Sequence, residues 1–293
     1  MNNVNINNIY KIFACPNCLK PIERVQNEII CLSCGSKYEI RGDIPILLKE
    51  EEKKEIFNEY ATEAGKETIA RYGFSNKYVK KIKEFIANQG MHYRLNMDDM
   101  LKTMVTWNGR DTVALDIGSG AKRIHEKFIN LNIDIFPYVD IVGSVYRLPF
   151  LDNSVDSIFC SAVLEHLLEP QKAMKEIIRV LKPGGYVLIG VPFLVAYHAY
   201  PIDQQRWTLD GLSYLCNDFQ EVRKGIASGP SSTISALLAE YLTIFSDNKY
   251  INGFLWIIGR AIFFLFKYLD YFTIRLKKAH RLASAIYFFG RKP

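Results

Sequence analysis

No internal repeat and no low-complexity tract occurs in the chain, which excludes solenoid arrays and long biased segments as its organising principle. The opening stretch, MNNVNINNIYKIFACP, has neither a basic start nor an apolar run, so no secretory signal is read there. The expected location is cytoplasmic, with peripheral contact to the inner membrane face. Beyond Asp270 there is no acidic residue, while Arg275, Lys277, Lys278, Arg281, Arg291 and Lys292 all follow it. These six account for the whole net charge of +6. A basic cluster next to an apolar helix suits anionic headgroups or nucleic acid, or is simply a solvated basic surface.

What is present is ordinary in amount and uneven in placement. The 293 residues, 49% apolar and 23% charged, suffice for one substantial domain and a small module. Four of the six cysteines form Cys15-x-x-Cys18 and Cys31-x-x-Cys34. Two such knuckles complete a closed four-thiolate site of the structural zinc kind, with two disulfides or a redox pair as the alternatives. A module this small has little core of its own, so a metal would supply much of its folding free energy. The segment YEIRGDIPILL (38–48) reads as extended with a Gly-Asp turn that closes a module over 1–48.

Residues 49–72 are highly charged and helix-favouring, so the boundary is carried by helix rather than by a Gly/Ser linker. Helical pattern continues through 77–90 and 93–105, giving a helical region over 49–105 ahead of a main domain over 106–293. There, TVALDI (112–117), FPYVDIV (136–142), VDSIFC (155–160) and GYVLIGVPF (185–193) are strand-like, with a helical pattern over 168–181. This alternation predicts a doubly wound α/β sheet.

LDIGSG (115–120) ends the first of these strands with an acid and Gly-x-Gly, where backbone can approach a nucleotide without a Cβ in the way. The dinucleotide fingerprint would place a third glycine where Arg123 stands, which disfavours a pyrophosphate. Asp134 lies where the next strand ends and can accept both ribose hydroxyls. The ligand expected is a nucleoside without a pyrophosphate.

LDIGSG, VYRLPFLDNSVDSIFCSAVLEHL (145–167) and EIIRVLKPGGYVLIGVPF (176–193) together resemble the class I S-adenosylmethionine-dependent methyltransferases, in particular the type 11 subgroup that includes quinone-biosynthesis-like enzymes. The resemblance covers roughly residues 105–230. It implies a Rossmann-like, seven-stranded doubly wound sheet ending in an antiparallel pair, which 219–228 and 284–292 fit. A helical insertion over 231–282 would separate them, and the zinc ribbon precedes the whole. It also implies S-adenosylmethionine as cofactor, beside a structural Zn2+ on Cys15, Cys18, Cys31 and Cys34. Asp116, Ile117, Gly118, Ser119 and Gly120 would shape the amino-acid end of the cofactor pocket, with Ser161 among the cofactor residues. Asp134 would hold the ribose, and Ser144 with Val145 would lie beside adenine. The subgroup commonly has Asp where Ser144 stands, which removes a charge-assisted contact.

Methyl transfer needs little beyond holding nucleophile and methyl carbon together, plus deprotonation when the acceptor is a hydroxyl or amine. His166 and His198 fall at the expected carboxyl edge of the sheet, each a candidate general base or a hydrogen-bonded structural histidine. HAYPIDQQRWT (198–208) resembles a recurrent stretch of the subgroup, in which Asp203 and Arg206 form an ion pair or touch substrate. Cys160 and Cys216 read as buried inert thiols. The acceptor expected is a small molecule, a glycan precursor or a lipid-linked molecule. RNA is the second reading, since the ribbon resembles modules of RNA methyltransferases, and a non-enzymatic zinc-ribbon adaptor is the third.

FLWIIGRAIFFLFKYL (254–269) raises a separate question. The eleven Ile, Leu and Phe of 251–269 would gain about 3–7 kcal/mol on insertion into a bilayer, against about 2.5–3.5 for a central Arg. A single crossing is excluded, because the strand that follows must return to the sheet. Two crossings would need 231–246, which is short and carries Glu240. Arg260 and Lys267 share one face, predicting an amphipathic helix with a narrow polar stripe. It either lies on an anionic membrane through 251–281 or packs over the active site.

Overall fold

The computed structural model describes residues 9–52, 92–109, 112–198 and 202–293. The helices expected over 49–72 and 77–90 fall, apart from residues 49–52, outside the described residues. The third begins the main domain as α1 (His92–Thr106).

One sheet runs through the molecule. Its strands are β1 (Glu23–Val25), β2 (Glu28–Ile30), β3 (Lys37–Arg41), β4 (Ile44–Leu47), β5 (Ala114–Ile117), β6 (Phe128–Asn132), β7 (Ile141–Gly143), β8 (Val155–Ser161), β9 (Leu181–Pro192), β10 (Gln220–Ser228) and β11 (Ala285–Arg291). Their spatial order is β1-β2-β3-β4-β7-β6-β5-β8-β9-β11-β10. The strands from β4 to β9 in that order pair in parallel, and the β9-β11-β10 end is antiparallel. The sheet therefore has eleven strands among the described residues rather than seven. The reason is β4: Ile46 and Leu47 pair with Val142 and Gly143, so the cysteine module continues the sheet with its own hairpins. The module also shares the core, since Phe13 stacks edge-on against Phe150 at 5.7 Å. Arg147 Nε donates to Pro16 O at 2.9 Å beside it.

One further expectation is corrected. The strand expected over 136–142 shrinks to β7, because Phe136 to Asp140 form the turn that enters it. The strand expected to end near Asp134 is β6, which pairs with β5 although Asn130 and Asn132 interrupt its apolar run. Fully buried Asn130 donates from Nδ2 to Lys122 O at 3.0 Å, while its Oδ1 has no hydrogen-bond partner among the described residues.

The parallel strands are buried on both faces, which is why they read as apolar runs without alternation. One face carries Ala114, Phe159 and Leu188 against Met97, Met100 and Met104 of α1. The other carries Leu115, Ile158 and Val187 against Ala173, Met174 and Ile177 of α2 (Pro170–Val180), with Leu212 of α3 (Leu209–Leu215) and Phe13 of the module.

Between β10 and β11 lie α4 (Pro230–Tyr241), α5 (Lys249–Phe263), a 3-10 turn over Phe264–Leu269 and α6 (Asp270–Thr273). Ser228 and Pro192 both pair with Ala285. Residues 229–284 therefore leave and re-enter the sheet at the carboxyl edge of the parallel strands. The polar stripe of this region faces inward. Arg260 and Lys267 are each only 7% exposed, whereas Phe254, Leu265 and Phe272 are 63%, 71% and 74% exposed. Arg260 lies over the Trp256 ring and Lys267 over Phe264, so aromatic faces offset part of the cost of burying these cations.

Candidate active site and cysteine cluster

The first site is the turn after β5. A buried parallel strand must leave the sheet sharply here, and Gly118 (φ +73°) and Gly120 (φ +56°) supply the left-handed conformations. Gly118 has a steric reason as well, since a Cβ on it would overlap Val163 Cγ2. At Gly120 an added Cβ would meet nothing within 4 Å, so the backbone there borders open space. Asp116 is 3% exposed, and burial pushes its carboxyl up to about 8, with the Arg123 charge opposing the shift. Ser119 Oγ is buried with no hydrogen-bond partner among the described residues. A buried acid, a partnerless hydroxyl and open space beside two glycines fit a polar, cationic ligand end.

Arg123, which stands in place of a third glycine, has a structural task. Its guanidinium donates to Phe128 O, to Tyr138 O and to both oxygens of Asp140, whose Oδ2 also accepts from Asn130 N. That clamp holds the 118–127 connection, which contains no helix, against β6 and the turn before β7. Asp134 lies two residues past β6, half-buried, with Oδ1 accepting from Ile135 N at 2.7 Å. Ser144 and Val145 follow β7 and are buried, Ser144 Oγ accepting from Tyr146 N at 3.2 Å. Ser161 ends β8. All these residues lie at carboxyl ends of parallel strands or in the turns just beyond, where α/β sheets bind nucleotides.

The second cluster follows β8. Val163, which touches Gly118, leads into the turn Leu164–His166. Glu165 in that turn is fully buried, and neither carboxylate oxygen has a hydrogen-bond partner among the described residues. Its Oε1 lies 3.7 Å from His166 Nε2 and 3.8 Å from His198 Nε2. The two imidazoles meet edge-to-face at 5.4 Å. His166 Nδ1 donates to Ile202 O at 2.7 Å, which leaves Nε2 as a lone pair facing Glu165. Asp203 is clamped by the Arg206 guanidinium through both oxygens and accepts from His198 N at 3.0 Å. His198 titrates above the ordinary range, chiefly because of Glu165 and then Asp203, against desolvation. Gln204 N and Gln205 N donate to Glu165 O, tying the 202–206 loop to the turn. The structure thus joins His166, His198, Asp203 and Arg206 in one constellation whose centre is Glu165. Sequence reasoning missed Glu165, and its only signal was an acid inside an otherwise apolar VLEHLL run.

In the module, two knuckles repeat one pattern. Cys15 N donates to Lys20 O and Leu19 N to Cys15 O, and Cys31 N donates to Ser36 O and Gly35 N to Cys31 O. Leu19 and Gly35 take equivalent left-handed positions, at φ +60° and +74°. Cys15 Sγ is 3.6 Å from Cys34 Sγ and Cys18 Sγ 3.5 Å from Cys31 Sγ, and all four sulfurs lie within 4.8 Å of one another. These separations are too long for disulfides and match four thiolates around one tetrahedral ion with metal–sulfur bonds of about 2.3 Å. Cys160 and Cys216 are buried, and burial raises both thiols.

Comparison with known proteins adds one family and several relatives. Residues 99–189 match the sequence model of the methyltransferase domain family. A demethylmenaquinone methyltransferase of Paenarthrobacter aurescens (strain TC1) is 29% identical over 147 residues, which is 50% of this chain and 52% of that protein. One from Renibacterium salmoninarum is 35% identical over 99 residues, 31% of this chain and 39% of that protein. The chain thus spans about half or less of the length of these curated relatives. Haemonchus contortus phosphoethanolamine N-methyltransferase 2 in complex with S-adenosyl-L-methionine is a similar solved structure, 15% identical, with a TM-score of 0.43 over 69% of this chain and 56% of that one.

Proposed function

We propose that the chain is an S-adenosylmethionine-dependent methyltransferase acting on an oxygen or nitrogen of a small-molecule, glycan-precursor or lipid-linked acceptor. The carrying observation is the Asp116–Gly120 turn at the carboxyl end of β5, inside the segment that matches the methyltransferase domain family. Asp116 through Gly120 would take the cofactor's amino-acid end, Asp134 its ribose, and Ser144 and Val145 its adenine, with Ser161 nearby. The cofactor supplies an activated sulfonium methyl. An acceptor lone pair forms the new bond to that carbon while the C–S pair returns to sulfur, and an O–H or N–H acceptor gives up its proton. The residues of this chain have two tasks, alignment and proton removal. Both fall to the acceptor-side cluster of His166, His198, Asp203 and Arg206, which adjoins Gly118 through Val163.

Support for an acceptor reached from an apolar phase comes from the insertion. It rises from the same carboxyl edge as the cofactor turn, and the 24 residues Tyr250–Thr273 contain an 18-residue window with mean hydropathy 1.3, of which 17% is buried. Arg275, Lys277, Lys278 and Arg281 follow at once, so apolar contact and attraction to anionic headgroups come from one surface. The four-thiolate cluster is the proposed structural zinc site.

Isothermal titration with S-adenosylmethionine tests the enzyme reading, and absence of measurable binding would eliminate it in favour of an adaptor. Salt-dependent retention on anionic vesicles but not on RNA is expected; the reverse preference would move the acceptor to RNA.

A further inference from the structure

Glu165 is fully buried, and neither of its carboxylate oxygens has a hydrogen-bond partner among the described residues. An ionised carboxylate with no solvent contact and no hydrogen-bond donor within reach is costly, and proteins keep such groups when something else pairs with them. The two nearest polar atoms are His166 Nε2 and His198 Nε2, at 3.7 and 3.8 Å. With its proton at Nδ1 on Ile202 O, His166 offers Glu165 a lone pair rather than a donor. Two imidazole nitrogens and a carboxylate oxygen, all within 4.8 Å of one another, converge on the space between them.

We infer that Glu165, His166 and His198 form a two-histidine, one-carboxylate site for a divalent transition-metal ion of the Zn2+ or Co2+ kind. The donors suit such ions rather than Mg2+ or Ca2+, which take oxygen ligands. The two Oε1–Nε2 separations of 3.7 and 3.8 Å exceed by less than about 1 Å those around a tetrahedral ion with bonds of about 2.0–2.2 Å. Three protein ligands leave one position of a four-coordinate ion for water or an acceptor oxygen.

The surroundings are those that metal ligands require. His166 Nδ1 is held by a backbone carbonyl at 2.7 Å. His198 Nδ1 lies 3.5 Å from Asp203 Oδ2, with Arg206 Nη2 at 3.4 Å from the same nitrogen. Asp203 is itself fixed by Arg206 and by His198 N. A carboxylate behind a histidine aims the opposite nitrogen at an ion and raises its basicity, so Asp203 is a positioning residue of this site. This inference extends the acceptor side of the proposed methyltransferase, where with an ion bound the two histidines serve as ligands and not as proton acceptors, yet the cation site stands or falls without that reading.

Co2+ is the probe, added to the full-length protein, because bound cobalt reports its ligands by absorption. Thiolate-bound cobalt gives a strong near-ultraviolet charge-transfer band that imidazole and carboxylate ligation lacks. With the four-thiolate site filled by zinc beforehand, one cobalt per chain without that band is expected, lost in His198→Ala and in Glu165→Gln. Asp203→Asn should weaken it about 10–100-fold and shift its visible bands. His198 is on a partly exposed loop, so its variant keeps the test informative if Glu165→Gln fails to fold. Cobalt bound only with the thiolate band, or binding unchanged in His198→Ala, overturns the proposal. The same samples titrated with S-adenosylmethionine separate the two readings. Cofactor binding without cobalt binding refutes the cation site alone, and cobalt binding without cofactor binding refutes the methyltransferase reading alone.

Discussion

Replacing Asp270 with alanine should destabilise the helical insertion by several kcal/mol, and a second substitution shows why. The Asp270 carboxylate is 2% exposed and accepts from Ser231 N at 2.8 Å, Ser232 N at 2.9 Å and Thr273 Oγ1 at 2.9 Å. It thus caps α4 from a distance of about forty residues in sequence, opposite the positive end of the helix dipole. Removing it strands two buried backbone donors at about 1–3 kcal/mol each, a loss of about 2–6 kcal/mol before relaxation. Gly229 tests the geometry, because an ideal Cβ there would lie 2.5 Å from Asp270 Cγ and Oδ1. Gly229→Ala should therefore displace the carboxylate and reproduce much of the same loss, while adding little in the Asp270→Ala background. Urea denaturation of the two single variants and the double variant measures the coupling, expected at about 1–3 kcal/mol. Hydrogen exchange at Ser231 and Ser232 localises it. Additive losses, or full protection of those two amides in Asp270→Ala, would refute the capping account.

Asp116, pushed up to about 8, holds its proton in the folded ligand-free chain at neutral pH and loses it near pH 4 when unfolded. The native state therefore binds the extra proton between about pH 4 and 8, and its contribution to stability falls as pH rises through that window, by at most about 1.4 kcal/mol per unit. Asp116→Asn should remove this slope, as the difference between the two proteins' denaturation profiles across pH would report; parallel profiles would contradict it. Gly35→Ala places a Cβ in open space at φ +74°, so its cost should be backbone strain alone, about 1–2 kcal/mol in chemical denaturation. Asp at Phe254, Leu265 and Phe272 together should abolish co-sedimentation with anionic vesicles and leave the melting temperature nearly unchanged, since all three side chains are mostly exposed. Undiminished co-sedimentation would remove this face from the membrane reading.

Local signals were legible where local chemistry decides structure. The Cys-x-x-Cys pairs, the acid and glycines after β5, and the amphipathic pattern that became α2 are each set by neighbours within a few residues. β6 was legible only through its end near Asp134, because FINLN takes its register from β5 and β7 and its buried Asn130 binds Lys122 O. The count of strands was not legible, since β4 joins a strand nearly a hundred residues later. A helical wheel puts Arg260 and Lys267 on one face but cannot say that this face turns inward. That follows from α4, where Gly259 packs so closely on Ala239 that a Cβ would lie 2.8 Å from its Cα. Glu165 and His198 meet only because Gln204 and Gln205 bind the Glu165 carbonyl.

β11 has a consequence for how the molecule assembles. It is the last strand in sequence yet lies between β9 and β10, pairing with both along its length. During synthesis β10 therefore has no strand partner among the described residues until residues 285–291 emerge, and by then the whole apolar insertion is already outside the ribosome. Long-range closure of this kind is slow compared with helix formation. The exposed Phe and Leu of α5 and the turn after it are thus outside the ribosome before the sheet is complete.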